Sequence, residues 1–161
     1  MTQSAAVIRL ANRRDIPDIV RLWEELMDFH RELDPFFTRA RNSADLFRRF
    51  LEQNLENDAA CVLVAQVEDG IVAYCQGLLE HHPPVVVESD YGQVLDFVVT
   101  AGHRHTGIGR QMFEVLCKWF RKEGMRRIEV RHSTFNPIAA RFWPQMGFQP
   151  YVQTLCMELP K

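Results

Sequence analysis

A mixed α/β fold, α+β in character and built on one mixed sheet, is predicted by three observations. Short apolar runs alternate along the 161 residues with longer segments of 3.6-residue periodicity. Asp69-Gly70 stands between two strand-like runs, a strong local signal for a hairpin. Residues 94–113, VLDFVVTAGHRHTGIGRQMF, lead from an apolar strand through a short polar loop directly into an amphipathic helix. The predicted order is β-α-α-β-β-β-α-β-α-β. Strands 2 to 4 form an antiparallel meander, and strand 4, helix 3 and strand 5 form a parallel crossover.

Val7-Ile8-Arg9-Leu10 reads as the first strand. Asp15 is the expected N-cap of the first helix, with Pro17 in its first turn and Asp18 at N3. Ile16, Ile19, Val20, Trp23, Leu26 and Met27 form its apolar stripe as far as about His30, and Asp34-Pro35 breaks the pattern. A second helix is expected over 44–56. Strands 61–68 and 71–80 follow, with Glu68 opposite Ile71 across the turn and therefore Val64 opposite Cys75. That register sends Cys61 and Cys75 to opposite faces and forbids a disulfide between them. Residues 81–92 read as a loop, 93–100 as strand 4, and the next helix ends before Gly124 at C′. Arg127–His132 is strand 5. Asn136-Pro137 starts a short helix as N-cap and N1, Pro144 should kink or shorten it, and 148–159 supply terminal strand structure.

Composition narrows the function classes. The chain is 47% hydrophobic and 25% charged with a net charge of −2, so no general basic field is offered to nucleic acid. No apolar run is long enough to span a bilayer and the start lacks a signal-peptide core, so a cytoplasmic protein is expected. Cys61, Cys75, Cys117 and Cys156 lack metal spacing and suit buried, reduced thiols. His81-His82 has no third ligand at useful spacing, so no metal is expected.

The joint at 94–113 carries the chemistry. Where a strand turns into a helix, several unpaired N–H groups converge at the positive end of the helix dipole, which suits a phosphate-bearing cofactor. No GK[ST] follows Gly109, which excludes a P-loop, and Met112 stands where a dinucleotide fingerprint requires its third glycine. What survives is R-x-x-G-x-G, Arg104, Gly107 and Gly109. Downstream, Asn136, Ala139, Phe142, Trp143, Gly147 and Phe148 fall into an N-x-x-A-x-x-(L/F)-(Y/W)-x-x-x-G-F block. The two together, in this order, resemble the acetyl-CoA signature of the GCN5-related N-acetyltransferases, the GNAT superfamily. The resemblance runs from about residue 7 to the end and is specific over 94–148.

The resemblance implies a single GNAT domain over 1–161, with strands 4 and 5 splayed around acetyl-CoA as co-substrate. The diphosphate is expected on the amides of His105, Thr106, Gly107, Ile108 and Gly109, with Arg104 and Arg110 adding charge and His103 or His105 reaching phosphate or ribose. The backbone of Phe97, Val98 and Val99 pairs with the amide-containing arm of the cofactor, Asn136 caps the fourth helix and faces that arm, and Ala139 and Phe142 line the gap.

An acceptor amine of pKa about 10.4 must lose a proton, at a cost near 4–5 kcal/mol at pH 7. Asp96, a carboxylate inside an apolar strand, is the preferred base, and Glu80 the second choice. A tyrosine is usual where Trp143 stands, so the indole N–H, Tyr91, Tyr74 or water must serve the leaving thiolate. Phe29, His30, Asp34, Phe36, Phe37, Glu80, His81, His82, Glu88, Asp90 and Tyr91 are the candidate acceptor-binding residues. The expected activity is direct acetyl transfer to a primary amine of a small molecule, protein or peptide in a ternary complex. A non-catalytic acyl-CoA-binding module is the alternative, and transfer to an alcohol or aminoglycoside ranks third. The partner expected is an amine acceptor, not nucleic acid or membrane, and a homodimer is compatible with this reading.

Overall fold

The computed structural model describes residues 6–159. The chain divides into two compact units, Met1–Arg131 and His132–Lys161. The first unit contains β1 (Val7–Leu10), α1 (Ile16–Leu33), α2 (Ser43–Leu55), β2 (Ala60–Val67), β3 (Gly70–His81), β4 (Asp90–Val99), α3 (Ile108–Lys122) and β5 (Ile128–Val130). The second contains α4 (Pro137–Gln145). The five strands form one sheet in the order β1-β2-β3-β4-β5, antiparallel except for the parallel β4–β5 pair. The meander and the crossover are therefore as expected.

On one face of the sheet, α1 and α2 deliver Ile16, Ile19, Leu22, Phe47 and Leu51 against Val62, Val64, Tyr74 and Val98. Trp23 stacks on Phe47 at 4.4 Å and joins the two helices. On the other face, α3 buries Met112, Leu116 and Phe120 completely. Full burial of such side chains contributes about 1.5–3 kcal/mol each. A Cβ on Gly92 would lie 2.4 Å from the Phe120 ring, and one on Gly77 would lie 2.8 Å from both Leu116 and Phe120. The two glycines thus form the floor on which α3 rests.

Several local expectations need correction. Asp15 is the N-cap residue of helix 1, as expected, but its side chain makes no cap hydrogen bond there. A short 3₁₀ turn at Arg13–Asp15 precedes the helix, and Asn12 and Asp15 form the reciprocal capping box in that turn. The Asp15 carboxylate also accepts two hydrogen bonds from the Arg9 guanidinium, at 2.7 and 2.8 Å, which hold its pKa below the usual carboxylate range. A buried acid with such a partner serves the β1–α1 junction better than a local cap.

The hairpin register is shifted by one residue. Val67 pairs with Gly70, so Glu68 and Asp69 form the turn, and a bulge between Ala65 and Gln66 sets Val64 opposite Tyr74. Gly70 has φ +125°, which no β-branched residue tolerates. Cys75 now lies opposite Leu63, two residues from Cys61, so both thiols share a face. They are nonetheless unbridged. Burial pushes the Cys61 thiol up to about 12 and raises Cys75 as well, which keeps both inert. Cys117 is only half-buried and Cys156 is exposed, so the expectation of four buried thiols holds for two.

The loop expected over 81–92 is shorter, because β3 reaches His81 and β4 begins at Asp90. The terminal strand does not form: among the described residues, 148–159 pair with no strand. Pro150 lacks an N–H and restricts Gln149, and a strand without a ladder partner has no hydrogen bonds to define it.

Gly92→Ala should destabilise the protein by about 1–3 kcal/mol through overpacking against Phe120, visible as a lower thermal midpoint. Combining it with Phe120→Leu should recover part of the loss if the ring is the obstacle.

Candidate functional site

The site begins with a defect in a ladder. Along β3–β4, Gln76 faces Asp96 but Gly77 faces Val94, leaving Leu95 as an extra residue on β4. Side chains alternate along a strand, so Val94 and Asp96 would share a face in a regular ladder. The bulge reverses that. Val94, opposite Gly77, falls on the α3 side with Gly92. Asp96 and Val98 turn to the side of α1 and α2, where Val98 packs in the core.

The β4–β5 ladder ends at the same point. Its partners are Gly92 with Ile128, Gln93 with Glu129 and Val94 with Val130. Strand β4 continues five residues past that ladder, through Phe97, Val98 and Val99, while β5 stops. Splayed strands 4 and 5, expected from the resemblance, have this physical form.

Beyond β4 the chain makes a 3₁₀ turn at Ala101–His103 and enters α3 through Arg104, His105, Thr106 and Gly107. His105 has φ +63° and Gly107 φ +89°, two left-handed residues within three positions. For a residue with a side chain, as at His105, that conformation costs about 1–2 kcal/mol. The Thr106 hydroxyl donates to the His103 carbonyl at 2.7 Å and closes the turn. The first N–H of α3 bonded to backbone is that of Gln111, which donates to the Gly107 carbonyl at 3.1 Å. Among the described residues, the N–H groups of His105, Thr106, Gly107, Ile108, Gly109 and Arg110 donate to no protein acceptor. Six adjacent amide donors at a helix head form a cradle that suits an anion.

The arginines differ. Arg104 donates from Nε to the Val99 carbonyl at 3.0 Å, and its guanidinium lies 5.9 Å from the Phe29 ring centre. Its side chain ties the cradle to β4 and α1. Arg110 is exposed on the first turn of α3, and His105 is exposed beside it. Phe29 continues into a row of rings, His30 at 6.0 Å, then Phe37 and Phe36 at successive spacings of 5.3 Å. Burial lowers the His30 pKa, which favours a neutral ring.

Asp96 is half-buried on the α1–α2 side of the sheet. Its Oδ2 accepts a hydrogen bond from Gln76 Nε2 at 2.8 Å, and Gln76 Oε1 accepts one from Asn54 Nδ2 at 2.9 Å. The Tyr74 hydroxyl is buried against this carboxylate but falls short of hydrogen-bond geometry. Burial raises the Asp96 pKa to about 6, against the opposing influence of Gln76 and Tyr74. Such a value suits a group that takes up a proton near neutrality. Neither Gln76 nor Asn54 was apparent in the sequence, because no pattern distinguishes a buried amide from an exposed one.

Glu80 lies elsewhere. It pairs with Tyr91, four residues along β3 from Gln76 and therefore about 13 Å from it at 3.3 Å per residue. Tyr91 stacks on His82 at 4.2 Å, His82 bonds Glu129 at 2.9 Å, and His81 pairs with Asp90 at 2.7 Å. The structure thus separates Asp96 from the Glu80–Tyr91 end of the sheet. Glu88 and Asp34 are not drawn to Asp96 either: Glu88 pairs with Arg126, and Asp34 caps the turn at Pro35–Phe37.

In the second unit, Asn136 is buried and its Oδ1 accepts from the N–H groups of Ile138 and Ala139, each at 3.0 Å. The expected N-cap is present, and Pro144 falls in the last turn of α4, where its missing N–H ends the helix early. Trp143 is buried edge-on against Phe142 and Phe148, at 4.9 and 5.2 Å.

A family model described as the acetyltransferase (GNAT) family matches residues 22–148, across both motifs and the cradle. The chain belongs to the GNAT acetyltransferase family. A mutant of the BH1408 protein of Bacillus halodurans superposes on this GNAT chain with a TM-score of 0.85 at 26% identity, covering 96% of this chain and 99% of that one. A predicted acetyltransferase of Clostridium acetobutylicum, solved with acetyl-CoA, has the same fold, with a TM-score of 0.77 at 17% identity over 96% of each chain. The Bacillus subtilis (strain 168) protein named "Uncharacterized N-acetyltransferase YobR" is 32% identical over 66 residues. That match spans 41% of this chain and 27% of the relative. Among the described residues, no helix is long and apolar enough to cross a membrane, and no group of three or more metal-ligating side chains occurs.

The raised Asp96 pKa has a consequence for stability. Between the ordinary carboxylate pKa near 4 and about 6, the native state binds a proton that the unfolded chain releases. Stability contributed by protonated Asp96 is therefore complete below pH 4 and is lost as pH rises through 6. Asp96→Asn should gain about 1–3 kcal/mol relative to wild type between pH 4 and 7 in denaturant titrations. A constant difference across that range would show that Asp96 ionises normally in the fold.

Proposed function

We propose that this protein moves an acetyl group from acetyl-CoA to a primary amine of a small molecule, protein or peptide, by direct transfer in a ternary complex. The observation that carries the reading is the row of unspent amide donors over 105–110, placed just past the end of the strand that bears Asp96. A helix head contributes about 0.3–1 kcal/mol per charge when exposed and up to about 2 when partly buried, so several amides together suffice to anchor a diphosphate. Arg110 adds charge from solvent, while Arg104 acts by bracing the cradle. Both compact units work as one domain in this reading, supported by a family match that crosses the boundary after Arg131.

The residues have distinct tasks. The backbone of Phe97, Val98 and Val99, beyond the end of the β5 ladder, offers strand-like pairing to the amide arm of acetyl-CoA. Asn136, Ala139 and Phe142 of the second unit are the further cofactor-binding residues that the resemblance implies. Asp96 receives the proton of the acceptor amine, through Oδ1 or one water. Holding the reactants in line contributes roughly 7–11 kcal/mol, more than the 4–5 kcal/mol cost of a neutral amine, so alignment outweighs the base. The resemblance gives Trp143 the task of serving the departing sulfur, which as a thiolate is a good leaving group without a full proton. Glu80, at the other end of β3, is the weaker base candidate because it cannot reach an amine held at Asp96. We place the protein in the cytoplasm.

Acetyl-CoA at saturation should raise the thermal midpoint, and free thiol should appear with at least one member of an amine panel. Gly107→Val should abolish the thermal shift, because φ +89° is closed to a β-branched residue and the cradle must reshape. Asp96→Asn should lower kcat by about 10²-fold, leave the acetyl-CoA midpoint shift intact, and remove the acidic limb near pH 6 from the rate profile. Absence of both binding and thiol release would overturn the reading. Binding without turnover on any amine would favour an acyl-CoA-binding module instead.

A further inference from the structure

Two buried amides lie in line between α2 and β4 inside an otherwise apolar layer. Asn54 and Gln76 are both buried, Gln76 completely, among Leu51, Val62 and Tyr74. Amides are costly to bury, and a fully apolar pair of similar volume would pack the same space without that cost. Their arrangement has a direction. Asn54 Nδ2 donates to Gln76 Oε1, and Gln76 Nε2 donates to Asp96 Oδ2. With its oxygen occupied from behind, Gln76 can present only N–H to the carboxylate.

We propose that Asn54 and Gln76 are positioning residues for Asp96, an amide chain from α2 that fixes Gln76 in one orientation, pins Oδ2, and leaves Oδ1 for the acceptor. The inference rests on Asp96 being the base and deepens that reading. Its chemistry follows from donor and acceptor roles. An ionised carboxylate only accepts, so a fixed N–H favours the charged form. A flipped Gln76 would face the carboxylate with its oxygen and be tolerated only by the protonated acid. The chain therefore keeps a desolvated carboxylate ionisable near neutrality and limits its rotation at once.

The neighbours leave this role to the amides. The titratable groups that act on or feel Asp96 are Tyr74 and Cys75 of β3, both held neutral by burial. Helix α2 contributes Asn54, which bears no charge, and among the described residues no charged side chain of α1 acts on Asp96. The Tyr74 hydroxyl also favours the charged carboxylate, but its influence is smaller than that of the Gln76 donor.

The test uses the full chain with ¹³C-labelled aspartate, the Asp96 carboxyl signal being assigned by its loss in Asp96→Asn. Gln76→Met keeps the volume and removes the donor. Asn54→Leu keeps Gln76 but frees it to turn. The Asp96 titration midpoint should rise by about one pH unit in Gln76→Met, and by less in Asn54→Leu. The acidic limb of the rate profile should move by the same amount in each, with KM for acetyl-CoA unchanged. Thermal melts establish that each variant is folded, and either folded variant alone suffices. An unmoved carboxyl titration would overturn the proposal even if activity fell, since that is the result of a packing role. A shifted titration in a protein that never releases thiol would uphold the amide chain and defeat the acetyl-transfer reading instead.

Discussion

One extra residue in β4 governs the arrangement. With Leu95 outside the β3–β4 ladder, the alternation of the strand reverses between Val94 and Asp96. The first half of β4 can therefore present Gly92 and Val94 to α3, while the second half presents Asp96 and Val98 to α1 and α2. A regular ladder would satisfy only one side. Either the floor beneath Phe120 would be lost, or the carboxylate would point into the wrong layer. The parallel ladder to β5 stops at the same position, next to the point where the polar side chain turns inward. Geometry at the site and packing of the core thus share one cause.

The cradle at the head of α3 is held from three sides. Arg104 binds the end of β4 through the Val99 carbonyl and rests on Phe29 of α1, while Thr106 closes the turn on His103. The left-handed conformations of His105 and Gly107 are sustained by these attachments and leave six consecutive amides unspent. A backbone held in this state is already organised and needs little further ordering. The polar interior of the other layer follows the same logic. Burial raises the Asp96 pKa to about 6, and hydrogen bonding through Gln76 opposes that rise.

The 3.6-residue spacing of apolar side chains marked α1, α2 and α3, each of which buries one face, and short apolar runs marked the five strands found among the described residues. The N-cap at Asn136 and the end of α3 before Gly124 were equally legible, since capping needs only neighbouring residues. Errors arose where a local rule met a competing partner. Asp15 holds the N-cap position, but Arg9 and Asn12 claim its carboxylate. Asp69-Gly70 suggested the turn, but Gly70 pairs with Val67 and the turn moved back one residue. The terminal strand was expected from its apolar residues alone, whereas a strand exists only with a partner.

By itself the sequence determined the order of elements from β1 to α4, the strand–loop–helix joint and the identity of the glycines at the head of α3. These depend on residues close in the chain, where backbone preference and spacing act directly. The tertiary structure alone decided which way Asp96 faces, which amides it meets and how far it lies from Glu80. Those depend on a bulge in a ladder between distant segments, and on Asn54 reaching across from another element. No local pattern encodes a register that arises only when β3, β4, α2 and α3 compete for the same side chains.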